Sequence, residues 1–277
     1  MALITVDFFS KSLMRTVTIN AIVPIDKHSF NPLEPKREEK PYKTLYLLHG
    51  IFGNHTDWVV GTRIQRWAQD NNLVIIMPSG ENKFYVDSPN GEKHGEFIGQ
   101  ELVDITRKLF PLSNKYEDTY IAGLSMGGYG AIINGLKYHE TFSHIAALSS
   151  ALVLDNIINA TDFAPFFTHT KSYFQSIFGD LNKIIGSNND YNYLITNLIK
   201  NNKTPPKIYL ACGTEDFLIK ENRTYHQLLK ELNVLVDYKE GPGAHDWDFW
   251  DQYILDVLNW LPLEKTTNST HSGNVGR

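Results

Sequence analysis

The sequence predicts an α/β fold in which a mostly parallel sheet is covered by helices on both faces. Three observations point there. Short apolar runs without polar alternation recur at 44–48, 73–77, 119–122, 144–148, 207–211 and 234–239; each leads into Gly, Pro or Ser, and each is followed by a longer stretch that suits a helix. Uninterrupted runs of this length suit strands buried on both faces, and their alternation with helices implies right-handed parallel crossovers.

Ahead of these runs, two β-branched stretches at 3–9 and 16–23 flank the polar Ser10-Lys11-Ser12 and read as an antiparallel hairpin. Residues 26–43 carry Pro32, Pro35, Pro41 and a charge run at 36–40, which predicts a surface loop. A helix is expected over 129–136. The interval between 148 and 207 is too long for one crossover, so 155–203 is expected to be a cap-like insertion over one edge of the sheet. Its aromatics, Phe163, Phe166, Phe167, Tyr173, Phe174 and Phe178, fit either a small core of its own or the lining of a substrate pocket. Residues 1–263 are expected to form one domain and the polar 264–277 a disordered tail.

Composition narrows the function. A 42% hydrophobic content can fill a large core, and a net charge of −5 offers no basic field for phosphate backbones or anionic lipid. Nucleic acid and membrane are therefore not expected partners. Cys212 is the only cysteine, so no internal disulfide can form, and no clustered metal-ligand spacing exists. No metal or organic cofactor is expected. The amino terminus lacks the charge and apolar length of a signal peptide, which predicts a cytoplasmic protein.

Chemistry concentrates at strand ends. Gly123-Leu124-Ser125-Met126-Gly127 lies between an expected strand and an expected helix, the context that turns GxSxG into a nucleophile elbow. A serine hydroxyl needs a base, and the base needs a carboxylate to fix its tautomer. Of ten histidines, His245 alone follows the last expected strand through Gly241-Pro242-Gly243 and precedes a dense aromatic and acidic segment. The carboxylate should come from Cys212-Gly213-Thr214-Glu215-Asp216; the shorter Asp216 is favoured, with Glu215 a solvated neighbour. The resulting order, Ser125, Asp216, His245, is that of α/β-hydrolases. Oxyanion donors are expected from the N–H of Met126 and of Ile51, the latter in the HGxxG segment His49-Gly50-Ile51-Phe52-Gly53, with Phe52 as fallback. His49 is read as a brace for that loop.

The segments LLHGIFGNHTDW at 47–58, GLSMGGYGA at 123–131, CGTEDF at 212–217 and GAHDWDFW at 243–250 together resemble the esterase D group of α/β-hydrolases. Within it they are most similar to the bacterial tributyrin-esterase branch, itself similar to S-formylglutathione hydrolases and feruloyl esterases. The resemblance implies a serine carboxylic-ester hydrolase that forms an acyl-enzyme on short acyl or aromatic, feruloyl-type esters. It implies Ser125, Asp216 and His245 as triad and Ile51 with Met126 as oxyanion hole. Formylglutathione hydrolases typically carry serine-glycine-leucine where this chain has His49-Gly50-Ile51, which counts against glutathione thioesters. Phe52, Trp58 and Trp247 are the expected substrate contacts, the partner is a small-molecule ester, and a homo-oligomer stays open. Thioester hydrolysis and acyl transfer would use the same residues. An inactive hydrolase-fold binding protein is the non-enzymatic alternative, which the intact Ser, Asp and His argue against.

Overall fold

The computed structural model describes residues 1–25, 40–89 and 91–264. Most of the loop expected at 26–43, and all but the first residue of the expected tail, lie outside the described residues. The hairpin forms from β1 (Ala2–Ser10) and β2 (Arg15–Val23), with Ala2 opposite Val23 and Ser10 opposite Arg15. Six strands follow: β3 (Lys43–Leu48), β4 (Leu73–Pro78), β5 (Thr119–Leu124), β6 (His144–Leu148), β7 (Lys207–Gly213) and β8 (Val236–Gly241). They build one eight-stranded sheet in the order β1-β2-β4-β3-β5-β6-β7-β8. Pairing is antiparallel from β1 to β4 and parallel from β4 through β8.

The apolar runs lack polar alternation because both faces are covered. Leu45 and Leu47 face one core while Tyr46 and Leu48 face the other, and Tyr120 and Ile121 divide in the same way. Only the two edge strands, β1 and β8, alternate between less and more exposed positions. In chain order the helices are α1 (Asp57–Gly61), α2 (Ile64–Asp70), α3 (His94–Glu96), which passes through a π-helical turn (Phe97–Glu101) into α4 (Leu102–Leu109), and α5 (Met126–Lys137). Then come α6 (Leu154–Ile158), α7 (Lys171–Phe178), α8 (Tyr191–Lys200), α9 (Ile219–Glu231) and α10 (Trp247–Trp260). α1, α2 and α10 contribute Trp58, Trp67 and Ile254 to one core; α4, α5 and α9 contribute Leu102, Ile132 and Leu229 to the other.

Two of the boundaries that differ from expectation do so for clear local reasons. Val234 donates its N–H to Leu229 O, closing the end of α9, so the last strand begins at Val236 and not at 234. α5 begins at Met126, three residues before the expected start, because Gly127 and Gly128 hide its first turn from a propensity reading.

The insertion divides its aromatics. Phe174 and Phe178 are buried, with Phe84 at 6.2 and 5.6 Å from their ring centroids and Tyr129 at 6.3 Å from that of Phe178. Phe163, Phe166 and Phe167 are instead exposed by 98%, 66% and 65%, so they cannot belong to the same core. Tyr129 Oη donates to Asn189 O at 2.7 Å and Tyr191 Oη to Leu152 O at 2.8 Å, which ties the segment to α5 and to the end of β6. No helix among the described residues is long and apolar enough to cross a membrane.

Candidate active site

Strand order places the carboxyl ends of β3, β5, β7 and β8 along one rim of the sheet. Between β3 and β5 the chain changes its winding direction, the place where open α/β sheets leave a crevice. Ser125 sits there, on a one-residue turn between β5 and α5, with φ +52°. That left-handed backbone is costly for a residue with a side chain, and the neighbours hold it. Ser125 N–H donates to Leu148 O at 2.9 Å, while Ser125 O accepts from Tyr129 and Ala151 N–H at 3.1 and 3.0 Å. The flanking glycines follow from space. A Cβ on Gly123 would lie 2.2 Å from Gly127 O, and one on Gly127 would lie 2.5 Å from both Leu48 O and His49 O.

Three side chains converge from three strand ends. His245 Nε2 lies 2.9 Å from Ser125 Oγ, and His245 Nδ1 lies 2.9 and 3.1 Å from the two Asp216 carboxylate oxygens. The Asp216 side chain is fully buried and that of His245 is 18% exposed, so substrate can reach the imidazole but not the acid. Burial would raise the Asp216 carboxyl. Hydrogen bonds from His245 and from Leu218 N–H at 2.8 Å outweigh it and hold the group below the usual carboxylate range. An ionised Asp216 accepts the Nδ1 proton, which leaves the Nε2 lone pair toward Ser125.

Glu215 is exposed, the solvated neighbour expected, and it also holds the backbone beside it. Its carboxylate accepts from Gly243 N–H, and its N–H donates to Gly243 O at 3.1 Å, so it pins the loop that carries His245. Those bonds, with one from the Thr214 hydroxyl, hold the Glu215 carboxyl below its ordinary value.

The HGxxG loop is braced as expected. His49 is fully buried; its Nε2 accepts from Gly80 N–H at 2.8 Å, so the ring proton lies on Nδ1, 2.6 Å from Gly50 O. Burial keeps this imidazole neutral by pushing its titration down. Phe52, at φ +69°, donates its N–H to Asn82 Oδ1 at 2.8 Å. Ile51 N–H has no acceptor among the described residues, whereas that of Phe52 is taken by Asn82.

The three expected substrate contacts separate. Phe52 is 69% exposed. Trp247 is half-buried, edge-on to both Trp58 and Trp250 at 5.5 and 5.2 Å. Trp58 is only 1% exposed and donates its indole N–H to Leu48 O at 3.0 Å, so its burial removes it from direct substrate contact. It supports the site from behind. Phe217, which the sequence reading passed over although it follows Asp216 directly, lies with its ring 4.6 Å from that of His245 and is 73% exposed.

Glu81, Glu92 and His94 are the one group among the described residues with metal-ligating spacing. Arg15 already reaches both carboxylates at 2.5 Å, so the acidic charge there is met by a guanidinium.

The "Putative esterase" family model matches residues 10–261. The chain belongs to this esterase family. It is 44% identical over 263 residues to an acetyl esterase of Caldicellulosiruptor saccharolyticus, covering 94% of this chain and 98% of that one. Among solved structures, FphF of Staphylococcus aureus, a fluorophosphonate-binding serine hydrolase, superposes with a TM-score of 0.83 at 32% identity. The S-formylglutathione hydrolase FrmB of the same organism superposes with a TM-score of 0.80, also at 32% identity. In both cases 94% of this chain and 98% of the other are covered. The esterase therefore has the α/β-hydrolase fold and is a carboxylic-ester hydrolase.

Proposed function

We propose that Ser125 is the nucleophile of this esterase, His245 its general base and Asp216 the carboxylate that orients the imidazole. The observation that carries the reading is the continuous line from Asp216 through both nitrogens of His245 to Ser125 Oγ, each step at 2.9 Å. As Ser125 Oγ attacks the ester carbonyl, its proton passes to His245 Nε2. The oxyanion that forms is received by the N–H groups of Met126 and Ile51, with the amino end of α5 adding its positive dipole. The imidazolium returns the proton to the leaving alcohol, and an acyl-serine remains. Water, deprotonated by the same Nε2, then releases the acid.

We infer short acyl esters, acetyl first, as the substrate class, because the relative at 44% identity is named an acetyl esterase. Phe52 and Phe217, both exposed beside the site, and the half-buried Trp247 are the side chains placed to meet an apolar or aromatic portion of the ester. Thioester hydrolysis is the second reading, favoured by the likeness to FrmB. A cytoplasmic setting is in keeping with the single, buried, unpaired Cys212.

The test is kcat/KM across p-nitrophenyl acetate, butyrate and octanoate beside methyl ferulate and S-formylglutathione. Acetate or butyrate should lead, with octanoate at least about tenfold lower. A lead for S-formylglutathione would move the function to thioesters, and a lead for octanoate would end the short-acyl reading.

A further inference from the structure

Phe217 differs from the other exposed aromatics in what it lies against, and the turn that carries it explains why it points outward. Asp216 Oδ1 accepts the N–H of Leu218 at 2.8 Å and Asp216 O accepts that of Ile219 at 3.1 Å, so residues 216–219 form a tight turn into α9. Neighbouring side chains part company on this turn. The Asp216 side chain is fully buried against His245 Nδ1, whereas Phe217 is 73% exposed.

A lone exposed phenylalanine is ordinary on a protein surface and has no meaning by itself. Here, however, its ring centroid lies 4.6 Å from that of His245, with the two planes tilted by 44°. The imidazole has one other aromatic neighbour of this kind, the buried Trp250, edge-on at 5.0 Å. Of the two rings that meet His245, only Phe217 is therefore open to a substrate.

Ester cleavage decides which half of a substrate comes there. When the tetrahedral intermediate collapses, the bond between the acyl carbon and the alcohol oxygen breaks, and the proton on His245 Nε2 goes to that oxygen. The alcohol oxygen must then stand within about 3 Å of Nε2. The acyl carbon meanwhile stays bonded to Ser125 Oγ, and the oxyanion faces the N–H groups of Met126 and Ile51. The first carbons of the alcohol thus lie beside the imidazole, where Phe217 is the exposed ring. Phe52 belongs instead to the oxyanion loop.

We propose that Phe217 is a specificity-determining residue for the alcohol half of the ester, favouring alcohols that carry a flat apolar ring next to the reacting oxygen, such as benzyl-type alcohols, over small aliphatic ones. A ring in that position can pair with Phe217 in an offset or edge-on arrangement and withdraw part of both rings from water. The acyl half has no atom that must approach Nε2, so Phe217 discriminates alcohols and not acyl chains.

The inference rests on Ser125, His245 and Asp216 being the reacting set, and the experiment keeps the two apart. kcat/KM is measured for benzyl acetate, ethyl acetate and benzyl butyrate in the parent, Phe217→Ala, Phe217→Leu and Ser125→Ala. The first two esters share the acyl group, the first and third share the alcohol, and benzyl alcohol and ethanol are close in acidity, so leaving-group strength does not separate them. In Phe217→Ala the benzyl-to-ethyl ratio should fall about tenfold, while the acetate-to-butyrate ratio on the benzyl esters stays within about twofold. Phe217→Leu keeps apolar surface without the ring, and its benzyl-to-ethyl ratio should lie between those of the parent and Phe217→Ala.

An unchanged benzyl-to-ethyl ratio in Phe217→Ala overturns the proposal, whether neither rate falls or both fall together, as they would if the ring only steadied His245. So does an acetate-to-butyrate shift as large as the alcohol shift, which would turn Phe217 toward the acyl half. Turnover of the acetates by Ser125→Ala at the parent rate would instead overturn the triad itself.

Discussion

Phe52 donates its backbone N–H to Asn82 Oδ1 across 2.8 Å, and Asn82 O accepts the Tyr173 hydroxyl at 2.7 Å. The loop that carries Ile51 is thereby tied through one asparagine to α7 of the insertion. Asn82→Ala should lower kcat by about tenfold, less than the 10² to 10³ typical of losing an oxyanion donor outright, and Asn82→Asp should restore most of it by keeping the acceptor. Steady-state kinetics on a short ester check this. An Asn82→Ala variant with raised kcat would show that Phe52 N–H, freed from its partner, is the better donor.

Asp216 and Glu215 stand next to each other yet hold different things. Asp216→Asn should reduce turnover by about 10⁴, because the amide no longer fixes the Nδ1 proton of His245. Glu215→Gln retains an oxygen to accept Gly243 N–H and should stay within about tenfold of the parent. Equal losses in the two variants would make the shared loop, and not the carboxylate of Asp216, the important element.

The insertion's five phenylalanines should divide in mutagenesis as they divide in exposure. Phe174→Ala and Phe178→Ala remove buried rings and should cost about 3 to 5 kcal/mol of stability while leaving the ratio of short-ester to aromatic-ester kcat/KM unchanged. Phe166→Ala and Phe167→Ala should leave the melting temperature unchanged. A shift in that ratio on truncating Phe174 or Phe178 would place the buried pair in contact with substrate.

His144 starts β6 at the opposite end of the sheet from the site, and burial together with Lys207 and Lys43 pushes its titration down to about 4. Unfolded, it takes a proton near pH ~6.5, so between about pH 6.5 and 4 the unfolded chain binds more protons and stability falls as the pH falls. At roughly 1.4 kcal/mol per pH unit, the loss is on the order of 3 kcal/mol by pH 4. Melting temperatures from pH 7.5 to 4.5 should therefore fall less steeply in His144→Gln than in the parent. Parallel curves would mean that His144 is not the group responsible.

Much of this was legible in the residues. The uninterrupted runs locate the strands of a sheet covered on both faces, and GxSxG between a strand and a helix locates the elbow because Gly123 packs against the backbone of Gly127, and Gly127 against that of Leu48 and His49, where a Cβ does not fit. Ser125, Asp216 and His245 could be picked out because each follows a strand end that the topology brings to one rim. What the sequence hides are contacts made by groups with no pattern of their own. Glu215 acts through the backbone of Gly243, and Asn82 acts through that of Phe52. The buried Ser149 hydroxyl is met by a tryptophan indole 101 positions away. Burial is hidden too: Trp58 reads as a pocket aromatic beside HGxxG, but α1 turns it inward to Leu48 O.

The central claim is that the acyl group passes through Ser125, and trapping it there tests that most directly. The enzyme is mixed with excess p-nitrophenyl acetate, quenched in acid within milliseconds, digested and mapped by mass spectrometry. One acetyl group should appear on the peptide containing Ser125 in the parent enzyme, and none in Ser125→Ala. An acetyl group on any other residue at the rate of turnover, or turnover persisting in Ser125→Ala, would contradict the account.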